Sequence, residues 1–135
     1  MKPAVLAAYD GSPYAKAALL EARRLAKALG AKLTVIIVLP EDAPQEDIVE
    51  EARRLAPEAE VVVERMMTGL ENPASVIATY AERKGYTLIV VGAKGVSSRE
   101  DALVGSTALW LAANAPVSVL IVRGGLGTPA GPASS

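Results

Sequence analysis

Three glycines and two hydroxyl residues are spaced so that the chain could hold an anion. Gly92 and Gly95 are followed by nine residues, 96–104, and then by Gly105-Ser106-Thr107. Glycine has no Cβ, so the backbone at these positions can approach a ligand closely and adopt positive φ. Gly105 and Ser106 directly precede a stretch of helical period, and the unpaired amides and dipole of a helix N-terminus favour a phosphate. Ser106 and Thr107 could add hydroxyl donors, and Lys94 and Arg99 could add positive charge. Equally, Lys94, Arg99, Glu100 and Asp101 make a mixed-charge loop of the kind that is often only solvated. The loop is long for a strand-to-helix connection, which usually takes about 2–6 residues.

A second candidate is Asp10-Gly11-Ser12-Pro13, which follows the first apolar run. Alone it reads as a turn into a capped helix. Beside a glycine loop at the ends of parallel strands, Asp10 becomes a candidate ligand contact. Other chemistry is excluded by residue type. The chain has 0 His and 0 Cys, so it has no Ser–His–Asp triad, no thiolate nucleophile and no Cys or His metal site. Neither a Walker A run nor a G-x-G-x-x-G after a strand is present. Lys+Arg total 14 against 15 Asp+Glu, which lacks the basic surplus that non-specific nucleic-acid binding needs.

The elements that must position these residues alternate along the 135-residue chain. Val5–Tyr9, Leu33–Leu39, Val61–Met66, Leu88–Val91 and Val117–Val122 are short, β-branched apolar runs of the kind buried on both faces of a parallel sheet. Helical period predicts helices over Pro13–Leu29, Pro44–Ala56, Pro73–Lys84 and Thr107–Ala115. Ser12 and Asn72 suit N-caps, and Gly30 and Gly85 suit the C-terminal stops. Trp110 is expected to serve packing or an interface. The alternating order argues a single doubly wound α/β domain over residues 1–123 with right-handed crossovers. Residues 124–135, rich in Gly, Pro and Ser, are expected to form a flexible tail. No apolar run approaches the roughly 20 residues a membrane span requires, and a cytoplasmic location is expected.

Gly92-x2-Gly95-x9-Gly105-Ser106 after Leu88-Ile89-Val90-Val91 resembles the G-x2-G-x9-G-[ST] signature of the ATP-binding universal stress proteins. At average glycine usage the spacing arises by chance in roughly one chain of this length in a hundred or fewer. The resemblance extends to Val5–Ser12, to 33–38, to Asn72-Pro73-Ala74 and to 119–123. It implies a Rossmann-like fold of the adenine nucleotide alpha hydrolase-like type, with a five-stranded parallel sheet of order 3-2-1-4-5 and four helices. It also implies a homodimer through the last strand, 117–122. Asp10 would sit at the ribose and Val38 would offer backbone contacts to adenine. Gly92 and Gly95 would line ribose and phosphates, and Gly105, Ser106 and Thr107 would bind phosphates. ATP is the implied ligand, with Mg or Mn as the accompanying cation.

The sequence departs from the family pattern in four places. Ser118 stands where Pro is usual, Thr87 where Asp is usual, Thr107 where Val is common, and Gly69-Leu70-Glu71-Asn72-Pro73 is longer than the usual turn. The function expected is an ATP-dependent regulatory module of the stress response, with neither nucleic acid nor membrane as partner. The alternatives are a slow ATPase or other nucleotide-using enzyme, whose base would have to be a carboxylate or lysine, and a nucleotide-free interaction module of the same fold.

Overall fold

Short apolar runs separated by helices can bury both faces only as a parallel sheet covered on each side, and the computed structural model, which describes residues 2–95 and 104–124, has that arrangement. In chain order the elements are β1 (Ala4–Ala8), α1 (Pro13–Leu29), β2 (Lys32–Pro40), α2 (Glu46–Leu55), β3 (Glu60–Met66), α3 (Pro73–Lys84), β4 (Leu88–Gly92), α4 (Ser106–Asn114) and β5 (Ser118–Val122). The strands pair in parallel in the order β3-β2-β1-β4-β5, as expected. β1 is central, with Val5 opposite both Leu33 of β2 and Leu88 of β4.

Strand alternation divides the core into two layers. Val5, Ala7 and Tyr9 pack with Ala15, Ala18, Leu19 and Ala22 of α1 and with Val49 and Ala52 of α2. Leu6 and Ala8 pack on the other face with Ile77 and Ala81 of α3 and with Ala108 and Leu111 of α4; half-buried Trp110 closes that layer, as its packing reading anticipates. The alanines of α1 let the helix lie close to the sheet. One buried polar pair is satisfied internally, with the Tyr86 hydroxyl donating to Thr34 Oγ1 at 2.7 Å.

Local chemistry explains the helix ends. The Ser12 hydroxyl accepts from Ala15 N–H and Gly30 ends α1 at φ 63°; the Asn72 side chain accepts from Ser75 N–H and Gly85 ends α3 at φ 79°. Two helices differ from expectation at both ends, α2 running over Glu46–Leu55 and α4 over Ser106–Asn114. The second helix starts at Glu46 rather than Pro44, because Gln45 is its N-cap. The fourth starts at Ser106, with Gly105 as N-cap, so Ser106 lies inside the first turn.

Two of the departures from the family pattern have physical reasons. Thr87 Oγ1 accepts from Ala4 N–H and donates to Ala4 O, clamping the starts of β1 and β4. The longer turn is closed on itself: Met67 O accepts from the amides of Leu70 and Glu71, Glu71 Oε1 accepts from Met67 N–H, and Gly69 takes φ 90°. Ser118 opens β5 and is exposed. Among the described residues, no helix is long and apolar enough to cross a membrane. The tail expected from 124 onward lies outside the described residues except for Gly124.

Candidate functional site

The sheet order reverses between β1 and β4, since the chain leaves β1 toward β2 and leaves β4 toward β5. The carboxyl ends of these two strands therefore diverge into a crevice, the position where open α/β sheets take ligands. A cleft of about 220 Å³ opens there. Its walls include Asp10, Val38, Gly92, Lys94, Gly95, Gly105, Ser106 and Thr107. Nearly a hundred residues of chain separate the first of these from the last, and the fold gathers them around one cavity. Arg99, and with it Glu100 and Asp101, lies outside the described residues.

The loop closes on itself at its base. Ala93 N–H donates to Val122 O at 2.8 Å, and Gly105 N–H donates to Ala93 O, so the two ends of the nine-residue excursion meet beside the end of β5. Gly95 lies against the turn that follows β1, where a Cβ at Gly95 would stand 2.7 Å from Asp10 Oδ2. Asp10 Oδ1 accepts from Ser12 N–H at 3.0 Å, which fixes the carboxylate over the turn, and Gly11 at φ 86° lets the chain reverse there. Gly92 serves packing as well as the cleft: a Cβ would meet the Tyr14 carbonyl carbon at 2.7 Å. Lys94 Nζ stands 6.0 Å from the Tyr14 ring centroid, at the limit of a cation–π contact.

At the opposite end, α4 points its N-terminus into the cleft. Gly105 takes φ −75° and ψ 168° and offers no capping side chain. The first-turn amides of Ser106, Thr107 and Ala108 have no intrahelical acceptor, and all three residues line the cleft. This end suits an anion. The remaining wall is apolar: Ile36, Val38, Pro40, Met66, Pro73 and Ile77 come from the ends of β2 and β3 and the start of α3. A cleft with one apolar half and one polar, amide-rich half can take an amphiphilic ligand with a flat apolar part and an anionic tail.

Sequence reasoning missed Pro40, Met66 and Ile77, and the available signal was position. They stand where strands two and three end and where the third helix begins, at the same end of the sheet as the Asp10 turn and the glycine loop.

Behind Asp10 lies a network that the glycine motif does not announce. The buried Tyr9 hydroxyl donates to Glu51 Oε1 on α2, and Glu51 Oε2 lies 3.6 Å from Lys16 Nζ on α1. Burial, then the hydrogen bond and charge of Glu51, push the Tyr9 phenol well above its ordinary value, with Asp10 adding to the shift and Arg54 opposing it. The folded chain therefore keeps this proton at a pH where the unfolded chain loses it. Tyr9 contributes its full stabilisation below the unfolded value of about 10, and that contribution falls as pH rises above it. The stability difference between wild type and Tyr9→Phe should be constant up to about pH 9 and shift against the wild type toward pH 11. Denaturant unfolding across that range checks it, and a difference that stays constant refutes the assignment.

Comparison with known proteins agrees with this fold. The profile of the universal stress protein family matches residues 1–123. The chain is 36% identical over 134 residues to "Universal stress protein in QAH/OAS sulfhydrylase 3'region" of Thermus aquaticus, covering 88% of this chain and 97% of the relative. Among solved structures it resembles the universal stress protein UspA from Lactobacillus plantarum, with TM-score 0.74 and 25% identity, covering 90% of this chain and 97% of the other. It also resembles a universal stress protein in complex with cAMP, with TM-score 0.68, 25% identity and the same 90% and 97% coverage. With its sheet order, its crevice and these relatives in agreement, the chain belongs to the universal stress protein family.

Proposed function

We propose that the cleft binds ATP and that the bound nucleotide sets the fit of the protein to a partner, making it a regulatory module of the stress response. The observation that carries this reading is the single cavity lined by Asp10, Val38, Gly92, Lys94, Gly95 and the Gly105–Thr107 helix start. The apolar walls suit adenine beside Val38, Asp10 suits the ribose hydroxyls, and the α4 amides suit the phosphates. A universal stress protein 25% identical to this chain has been solved in complex with cAMP, which supports an adenine nucleotide as the ligand class. Mg²⁺ or Mn²⁺ would accompany the nucleotide on its phosphates.

Calorimetric titration of nucleotide-stripped protein with ATP, with and without Mg²⁺ and with GTP as control, tests this reading. Saturation near one ATP per chain is expected, and no heat with ATP refutes it.

The second copy of the chain is proposed to pair through β5. This strand is the sheet's edge beyond β4, and Val119, Leu120, Ile121 and Val122 are only half-buried on it. An apolar edge strand without protective charge invites another strand, whereas the opposite edge at β3 carries Glu60, Glu64 and Arg65. Sedimentation equilibrium should give twice the chain mass, and a monomer at working concentration overturns the pairing.

A further inference from the structure

Arg65 binds three acceptors that all belong to the wall of the cleft's apolar half or to the segment behind it. Its Nη1 donates to Pro40 O at 2.9 Å and to Ala43 O at 2.6 Å, and its Nη2 donates to Gln45 Oε1 at 2.9 Å. Pro40 itself lines the cleft, as does Met66, the residue after Arg65 and the register partner of Pro40. The side chain therefore ties the end of β3 to the end of β2 and to the start of α2. Gln45 shows how committed this arrangement is: it is the N-cap of α2, yet its side chain makes no capping hydrogen bond and goes to Arg65 instead. The planar guanidinium can serve three acceptors from one rigid fork, which a lysine ammonium does less well.

We infer that Arg65 is a positioning residue for the ligand's base: by holding Pro40, Ala43 and Gln45 in one arrangement it sets the apolar wall at Pro40 and Met66 against which a nucleobase packs. The inference rests on the proposed nucleotide function and deepens it. Among the described residues, the hydrogen bonds of Arg65 go to Pro40, Ala43 and Gln45, whereas Gly105, Ser106 and Thr107 stand at the start of α4, at the other end of the cleft. Its loss should be felt by the base and not by the phosphates.

The experiment compares wild type, Arg65→Met and Arg65→Lys by calorimetry against ATP, GTP and inorganic tripolyphosphate, with thermal unfolding of each chain alongside. Arg65→Met is expected to weaken ATP roughly tenfold (about 1.4 kcal/mol) and to narrow the ATP-to-GTP preference. Tripolyphosphate affinity should stay at the wild-type value, and Arg65→Lys should fall between. Unchanged ATP affinity and unchanged preference in Arg65→Met overturn the inference while leaving the nucleotide reading intact. A uniform loss for ATP and tripolyphosphate, or loss of folding in Arg65→Met with Arg65→Lys folded and binding as wild type, also overturns it. Absence of ATP binding by the wild type overturns both.

Discussion

Gly105→Val is expected to abolish ATP binding, by at least about a hundredfold (roughly 2.7 kcal/mol), in a chain that stays folded. Gly105 takes φ −75° and ψ 168°, a conformation open to any L-residue, so its backbone does not itself demand glycine. The residue is buried in the wall of the cleft, where Ser106 and Thr107 begin α4. An isopropyl group there would compete with the proposed phosphates for the space in front of the helix N-terminus. The cost to the fold is smaller: valine is a poor N-cap, which takes about 1 kcal/mol from α4. Thermal unfolding separates the two effects. ATP at a hundred times its Kd should add about 2.7 kcal/mol to the wild type and nothing to the variant. Gly105→Ser sharpens the test, because serine caps a helix well and should leave stability intact while still weakening ATP. A folded Gly105→Val that binds ATP as wild type does would falsify the phosphate assignment.

Helix ends were legible where their causes are local. Ser12-Pro13 and Gly30, like Asn72-Pro73 and Gly85, carry cap, first-turn proline and left-handed stop within a few residues, and both helices end where those residues say. The start of α2 was not legible in this way. Pro44 looks like a first helical residue, but the helix begins after Gln45, whose side chain is held by Arg65 twenty positions along the chain. No neighbouring residue signals that contact. The amide-rich end of the cleft was legible because glycine spacing and a helix start are sequential features. The apolar end was not, because Pro40, Met66 and Ile77 are residues of the type any core uses, and only the sheet order turns them toward one cavity. Tyr9 shows the same limit. Its partner Glu51 lies on α2, a helix rich in acidic and basic residues, and folding alone places that carboxylate beneath the Asp10 turn.

The glycine motif joins two different physical demands, and Gly92→Ala is where they come apart. A Cβ at Gly92 would stand 2.7 Å from the carbonyl carbon of Tyr14, 2.8 Å from its oxygen and 2.9 Å from its Cβ. Two of these atoms are backbone in the first turn of α1, so no rotamer change relieves the contact. The helix must shift away from β4, against a layer in which Ala15, Ala18, Ala22 and Val90 are already buried together. Overpacking of this kind costs about 1–3 kcal/mol, a large part of the roughly 5–15 kcal/mol that holds a domain folded. Thermal unfolding of Gly92→Ala should fall by roughly 5–15 °C. At a temperature where the variant remains folded, ATP should still bind, weakened to the extent that the Asp10 turn moves with α1. Gly92→Val should go further and accumulate as unfolded chain. If Gly92→Ala instead kept the wild-type unfolding temperature and lost ATP, Gly92 would be a ligand contact, as proposed for Gly105, and the close approach of Tyr14 would have no consequence for stability. The opposite pattern makes Gly92 the residue that lets α1 lie against the sheet, and so the residue that places Asp10 within reach of Gly95.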